Sequence, residues 1–288
     1  MIKFASLYSG SSGNCIFVGT DKTRILIDAG LSGVAIISAL KSIGEDPANI
    51  NGILVTHEHS DHIKGVGILS RKFDIPIYAN IKTWEQMEPC IGNVKDKNIR
   101  IIEKETRKPH QCSLLEYVGE SEEVEECTSY KSFEIGDIGI VCWPISHDAK
   151  EPVSYALYMD NMKISVATDM GYASDVVRDN LKGSDLLFIE SNHDVEKLKK
   201  GRYPWSLKKR ILSDVGHLSN EACASVVREC VCEGTKQVVL GHLSQENNFP
   251  HLAYNASKNM LDDIGCVIGR DMYLSVAKRD EVSDVILL

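Results

Sequence analysis

The sequence predicts an α/β fold, and three observations carry that expectation. Short apolar, β-branched runs alternate with stretches of helical period along all 288 residues. Apolar residues make up 43% and charged residues 25%, the balance of a chain that buries a sizeable core. Several apolar runs end in His, Asp or Glu, which lines potential ligands along one sheet edge, where α/β folds hold their sites. There is no internal repeat and no low-complexity linker, so one domain over 1–288 is expected. Its rhythm breaks at 108–130, where six glutamates fall between Glu116 and Glu126, and a Glu-rich surface insertion is expected there.

The expected strands, in order, are Ile25-Leu26-Ile27, Ile53-Leu54-Val55, Ile138 to Val141, Ile164 to Ala167, Leu186 to Ile189 and Val238 to Leu240. Helices are expected over roughly 31–43, 61–71, 81–89, 173–182, 219–233 and 250–264. The 219–233 helix has the clearest grammar. Ser219 is a good N-cap, Glu221 favours the first-turn dipole, and Ala222, Val226, Val227 and Cys230 share one face.

No apolar run approaches the ~18 to 20 residues of a membrane span, and Met1 to Ser6 lacks a signal-peptide layout. The nine cysteines are scattered, with no Cys-x-x-Cys pair, and read as reduced thiols of a cytoplasmic protein. The formal charge of -9 discourages a nucleic-acid partner when taken alone. It is unevenly spread, however. Lys197, Lys199, Lys200, Arg202, Lys208, Lys209 and Arg210 are seven cations in fourteen residues without an acid, against 32 in the whole chain. Tyr203 and Trp205 sit among them. Cations neutralise phosphates and aromatic rings stack unpaired bases, so Lys208 and Arg210 are candidate substrate contacts.

The densest chemistry is Thr56-His57-Glu58-His59-Ser60-Asp61-His62, which follows an apolar strand and opens a helix. Imidazole and carboxylate at this density suit a borderline divalent ion such as zinc, manganese or iron. His147, Asp169, His242, Asp28 and Glu190 end other strands in the same way.

His-x-His-x-Asp-His followed by a distal His, an Asp and a last His resembles the metallo-β-lactamase superfamily. That resemblance implies an αββα sandwich with two mixed central sheets and two metals at one edge. Carried over residue by residue, His57, His59 and His147 hold one ion, and Asp61, His62 and His242 hold the other. Asp169 bridges them, and Asp28 orients the histidine loop. Ser9-Gly10-Ser11-Ser12-Gly13-Asn14, Ile189-Glu190-Ser191-Asn192-His193-Asp194, Gly216-His217-Leu218-Ser219-Asn220 and Gly241 to Asn248 are similar to the YycJ (WalJ) family. That family implies a metal-dependent 5′→3′ DNA exonuclease; zinc and manganese both fit the His/Asp donors as the two cofactor ions, and two such ions can share a bridging hydroxide as nucleophile. A more distant similarity to tRNase Z implies that Glu190 and His217 assist phosphodiester cleavage; Asp61 is a further catalytic candidate.

His217 is the candidate general acid for a leaving oxygen, with Glu190 orienting it. His193 is a candidate substrate contact, with a supporting or plain surface role as the alternative. Ser11, Ser12, Gly13 and Asn14 form either an anion nest or an ordinary hairpin turn. Ser219 adds the N-terminal donors of its helix. Two other readings stay open: a hydrolase of small phosphodiesters or thioesters, and a non-catalytic, metal-stabilised regulatory module. Oligomeric state is not legible, and no membrane partner is expected.

Overall fold

The computed structural model describes residues 1–105 and 130–288. The expected Glu-rich insertion lies, save for its last residue, outside them.

The first half supplies strands β1 (Lys3–Tyr8), β2 (Cys15–Gly19), β3 (Arg24–Ile27), β4 (Gly52–Leu54), β5 (Ile77–Ala79) and β6 (Ile99–Ile101). The second supplies β7 (Phe133–Ile135), β8 (Ile138–Pro144), β9 (Val153–Met159), β10 (Met162–Ala167), β11 (Leu186–Glu190), β12 (Gln237–Gly241), β13 (Tyr273–Val276) and β14 (Ile286–Leu287). They form two seven-stranded sheets, ordered β14-β1-β2-β3-β4-β5-β6 and β13-β12-β11-β10-β9-β8-β7. Both are mixed. Pairing is antiparallel from β1 to β3 and parallel from β3 to β6. The second sheet is antiparallel from β7 to β10 and parallel from β10 to β13. Asp28 follows β3 and Asp169 follows β10, the two strands where the pairing changes sense.

The strand alternation decides the layers. Ile16, Val18, Ile25 and Ile27 point between the sheets and meet Tyr155, Leu157, Val166 and Phe188. Their neighbours Phe17 and Leu26 point the other way. There they meet residues of α1 (Gly33–Ser42), α2 (Ser60–Ile63), α3 (Val66–Phe73) and α4 (Ile81–Ile91), among them Ile36, Leu40, Ile63, Leu69 and Met87. The outer face of the second sheet, Leu187, Ile189, Val238 and Leu240, packs on Val177, Leu181, Val226, Val227, Ala253 and Leu261. Those come from α5 (Asp175–Leu181), α8 (Asn220–Cys232) and α9 (Pro250–Asp262). Between α5 and α8 in the chain lie two short helices, α6 (Val195–Lys200) and α7 (Trp205–Ile211). The result is the αββα sandwich.

One expected element differs in the structure. The helix expected over 61–71 is two helices, α2 and α3, broken at Gly65. The Gly65 amide donates to Ala29 O at 2.7 Å, and a Cβ there would lie 2.5 Å from Leu31 O. The chain is pinned against the loop after β3 instead of continuing one helix. The basic run, given no secondary structure from sequence alone, falls in two short helices, α6 and α7, joined over 201–204. No helix among the described residues is long and apolar enough to cross a membrane.

Candidate metal centre

Strand β4 ends at Leu54, and the following backbone carries His57 into the interior, fully buried. His59 is the residue preceding α2; Asp61 and His62 lie within it. This turn is held from below. Ala29 N donates to His62 O and Asn14 N donates to Asp61 O, both at 2.8 Å. A Cβ on Gly30 would lie 1.6 Å from Asp61 O, so only glycine admits this approach.

Asp28 fixes the imidazoles. Its carboxylate accepts from Thr56 N and Thr56 Oγ1, each at 2.8 Å, and lies 2.7 Å from His62 Nδ1. With Nδ1–H so engaged, His62 Nε2 faces Asp169 Oδ2 at 3.4 Å and Asp61 Oδ2 at 3.7 Å. His57 Nε2 lies 3.0 Å from His59 Nδ1. Across the gap, His147 Nδ1 donates to Gly216 O at 3.1 Å, and Nε2 faces Asp148 Oδ1 at 3.3 Å and Asp169 Oδ1 at 3.9 Å. His242 is gripped by its backbone: its N–H donates to Ser9 Oγ at 2.7 Å and its carbonyl accepts from Asn192 Nδ2 at 2.9 Å.

Asp28, Asp169 and His242 all adopt left-handed backbone, with φ of 58°, 58° and 53°. Such a conformation costs about 1–3 kcal/mol each in a non-glycine residue and persists only where surroundings enforce it. Here it turns each side chain off a strand end toward one point.

The charges follow from burial and proximity. Burial, with His62 beside it, holds His57 well below the usual imidazole range, and burial lowers His147 as well. Both are therefore neutral, the form that binds metal. Burial opposes charge on His62 too, but Asp169, Asp28 and Asp61 outweigh it and raise its pKa to about 10. His242 rises to about 9 against the same burial, through Asp169 and Glu190. Asp169 is fully buried, yet the charged His242 and His62 beside it hold it ionised, well below the carboxylate range.

Glu190 is a different kind of node. Fully buried at the end of β11, it takes His217 Nδ1 at 2.7 Å and His242 Nδ1 at 2.8 Å on Oε1. Oε2 accepts from Met170 N at 3.0 Å and Leu218 N at 3.4 Å. Burial would raise its pKa, but His217 and His242 together bring it down to about 2. Burial would lower His217, and Glu190 reverses this and raises it. His217 stays partly exposed at the mouth of a cleft of about 250 Å³. Ser11, His59, Asp61, His147, Asp169 and His242 line that cleft, with Tyr203, Arg210 and Ser244 on its wall.

The donor set fits divalent metal ions. His57, His59 and His147 present nitrogens within 4.8 Å of one another, as do the ligand atoms of Asp61, His62 and His242. Among the described residues, Asp169 Oδ2 and His242 Nε2 are buried without a hydrogen-bond partner, which an ion would supply.

A family model, the β-lactamase superfamily domain, matches residues 23–243, a span that contains every one of these ligands. The exodeoxyribonuclease YycJ of Bacillus anthracis is 43% identical over 93% of this chain and 92% of its own. The exodeoxyribonuclease WalJ of Streptococcus pneumoniae is 41% identical over 93% and 91%. The chain belongs to the metallo-β-lactamase superfamily, in its YycJ/WalJ branch. The fold itself recurs in the superfamily protein YhfI of Bacillus subtilis (TM-score 0.66, 14% identity, 99% and 100% coverage). It recurs again in the short form of human tRNase Z (TM-score 0.62, 16% identity, all of both chains).

Within that superfamily fold, the remaining sequence candidates separate. Ser11 lines the cleft. Ser12 turns outward, its hydroxyl donating to Asp280 at 3.1 Å. Asn14 is buried beneath the cluster, with Nδ2 3.1 Å from His62 Nε2 and Oδ1 accepting from Gly10 N. Ser219 caps α8, accepting from Ala222 N at 3.2 Å, and does not line the cleft. His193 is 1% exposed and does not line it either; burial lowers its pKa to about 4. Lys208 is not presented to a substrate. It is 8% exposed, and its Nζ donates to Lys199 O at 2.8 Å and Gly201 O at 2.7 Å, clamping α6 to α7. Arg210 does reach the cleft, paired with Asp148. Sequence reasoning missed Thr56, Ser9, Asn192 and Asp148. Thr56 stands inside the histidine motif, and Ser9 and Asn192 stand inside quoted blocks, but nothing local marks their partners.

Proposed function

We propose that this protein is a dinuclear metal-dependent phosphodiesterase that degrades DNA from a 5′ end. The observation that carries this reading is the placement of a Glu190-backed, partly exposed His217 on the wall of the same cleft as two His/Asp ligand sets. Zinc or manganese ions would be held by His57, His59 and His147 and by Asp61, His62 and His242, with Asp169 between them. When bound, they supply Lewis acidity toward the phosphoryl oxygens and an activated water.

The chain's own residues do the rest. Arg210 offers a guanidinium to the phosphate at the cleft wall. Glu190 holds His217 Nδ1–H, which turns Nε2 toward the cleft and keeps a proton available near neutral pH. His217 passes that proton to the departing 3′-oxygen, and Glu190 stabilises the charged ring before transfer. Asp28 and Gly216 O fix the tautomers of His62 and His147. The 41–43% identity to proteins named exodeoxyribonucleases, over nearly whole chains, supports DNA as substrate. The test is digestion of 5′- and 3′-labelled DNA and RNA strands across a panel of metals. Stepwise loss of nucleotides from the 5′ end of DNA is the expected result, and internal cuts or RNA preference would overturn it.

A further inference from the structure

A second cavity of about 380 Å³ adjoins the metal cleft, and Ser244 lines both. Its chemistry is different. Leu243, Phe249, Pro250 and Val276 give it an apolar surface, with Lys278 and Arg279 on its wall. Phe249, which directly precedes α9, is 47% exposed. Its ring stacks with His251, at 5.6 Å between centroids and 10° between planes. Lys197, from the basic run, holds its ammonium 4.3 Å from the Phe249 centroid. The loop that carries Ser11 at the cleft also packs on this cavity, since Ser9 N donates to Arg279 O at 3.2 Å.

An exposed aromatic platform flanked by cations, continuous with a phosphodiester cleft, matches the composition of single-strand binding surfaces. Rings take the base faces and ammonium groups take the backbone. We infer that this groove is a base-stacking subsite for the unpaired nucleic-acid strand leading away from the phosphodiester in the cleft, with Phe249 as its platform. The inference rests on the nucleic-acid reading above. It assigns Lys197 a movable role: its ammonium leaves the ring for a phosphate as a base covers Phe249. Lys278 and Arg279 are partly neutralised by Glu281 and Asp280, so the stacking ring and not net charge dominates here.

The experiment is equilibrium binding of short single-stranded DNA carrying 2-aminopurine at each position in turn, with the full chain and cleavage blocked by chelator. Stacking quenches the probe, so quenching should be confined to one or two positions. Phe249→Ala should abolish that quenching and weaken binding about 5- to 140-fold, the range for one stacked base. Phe249→Trp should restore both. Val34→Ala, an exposed side chain on α1, should match wild type. Wild-type binding with unchanged quenching in Phe249→Ala overturns the subsite and leaves the nuclease reading standing. A wild-type protein that binds no single strand overturns both.

Discussion

The first sheet delivers His57, His59, Asp61 and His62 from six consecutive residues after one strand. The second sheet's side delivers His147, Asp169, Glu190, His217 and His242 from a strand end and separate loops spread between 147 and 242. The two sides also differ in how they are held. The histidine turn hangs on one carboxylate, Asp28, and on backbone bonds from Ala29 and Asn14. The other side converges on Glu190, which joins His217 and His242 and ties the loops at Met170 and Leu218 together. A local cluster should fail one ligand at a time, whereas a shared node should couple proton transfer to metal geometry.

The sharpest break is on the local side. His59 is partly exposed and off the core, so His59→Ala should leave the fold intact and cut DNA cleavage by at least about 10³-fold. Circular dichroism alongside kcat checks both halves of that statement. Retained cleavage would remove His59 from the ligand set.

On the shared side, His217→Ala should cost about 10² to 10⁴-fold with DNA. The loss should shrink with a p-nitrophenyl phosphodiester, whose leaving group needs no proton. The pH dependence has a definite sign. His217 has its pKa raised by Glu190. The acid form is therefore complete below the ordinary imidazole value and is lost as pH rises through the raised one. Activity should fall on the alkaline side, and Glu190→Gln should move that limb to lower pH. Equal losses on both substrates would deny His217 the role of acid.

These two sides explain what could be read from the chain alone. The four candidate ligands from His57 to His62 are legible because four donors in six residues have few other uses. His147, Asp169 and His242 are legible only through their common position at strand ends. The grip of Ser9 on His242, 233 positions away, leaves no local trace. Gly65 could have been read as a helix stop, but the carbonyl that forbids its side chain comes from the loop after β3. The basic run was legible as charge, not as two helices, since its apolar spacing is interrupted by Gly201 and Pro204.

A milder change sharpens the role of Asp28. Asn in its place keeps the size but offers one acceptor oxygen where three donors meet. Asp28→Asn should weaken metal binding about 10- to 100-fold, the usual effect of removing a ligand's outer partner. Titration against a chromophoric chelator reads it directly. The first metal lost should be the one facing His62, because His57 and His59 do not bond Asp28.

The smallest effects separate two neighbours in the basic run. Arg210 lines the cleft and Lys208 does not. Arg210→Gln removes one cation from the path of the phosphate. The slope of log binding constant against log salt should fall by about 0.7, as for one contact on a single strand. Stability should stay near wild type, because Arg210 is surface-exposed and its pair with Asp148 is only partly buried. Lys208→Met should do the opposite. It strips the donor from Lys199 O and Gly201 O, which costs about 1–3 kcal/mol when such groups stay buried. In a chain of this size that is a fall of several degrees in Tm, about 2–4 °C per kcal/mol. Its salt slope should match wild type, since the ammonium faces carbonyls and not solvent. If both variants lose the same slope and neither loses stability, Lys208 returns to the substrate surface and the clamp between α6 and α7 is not what holds the basic run in place.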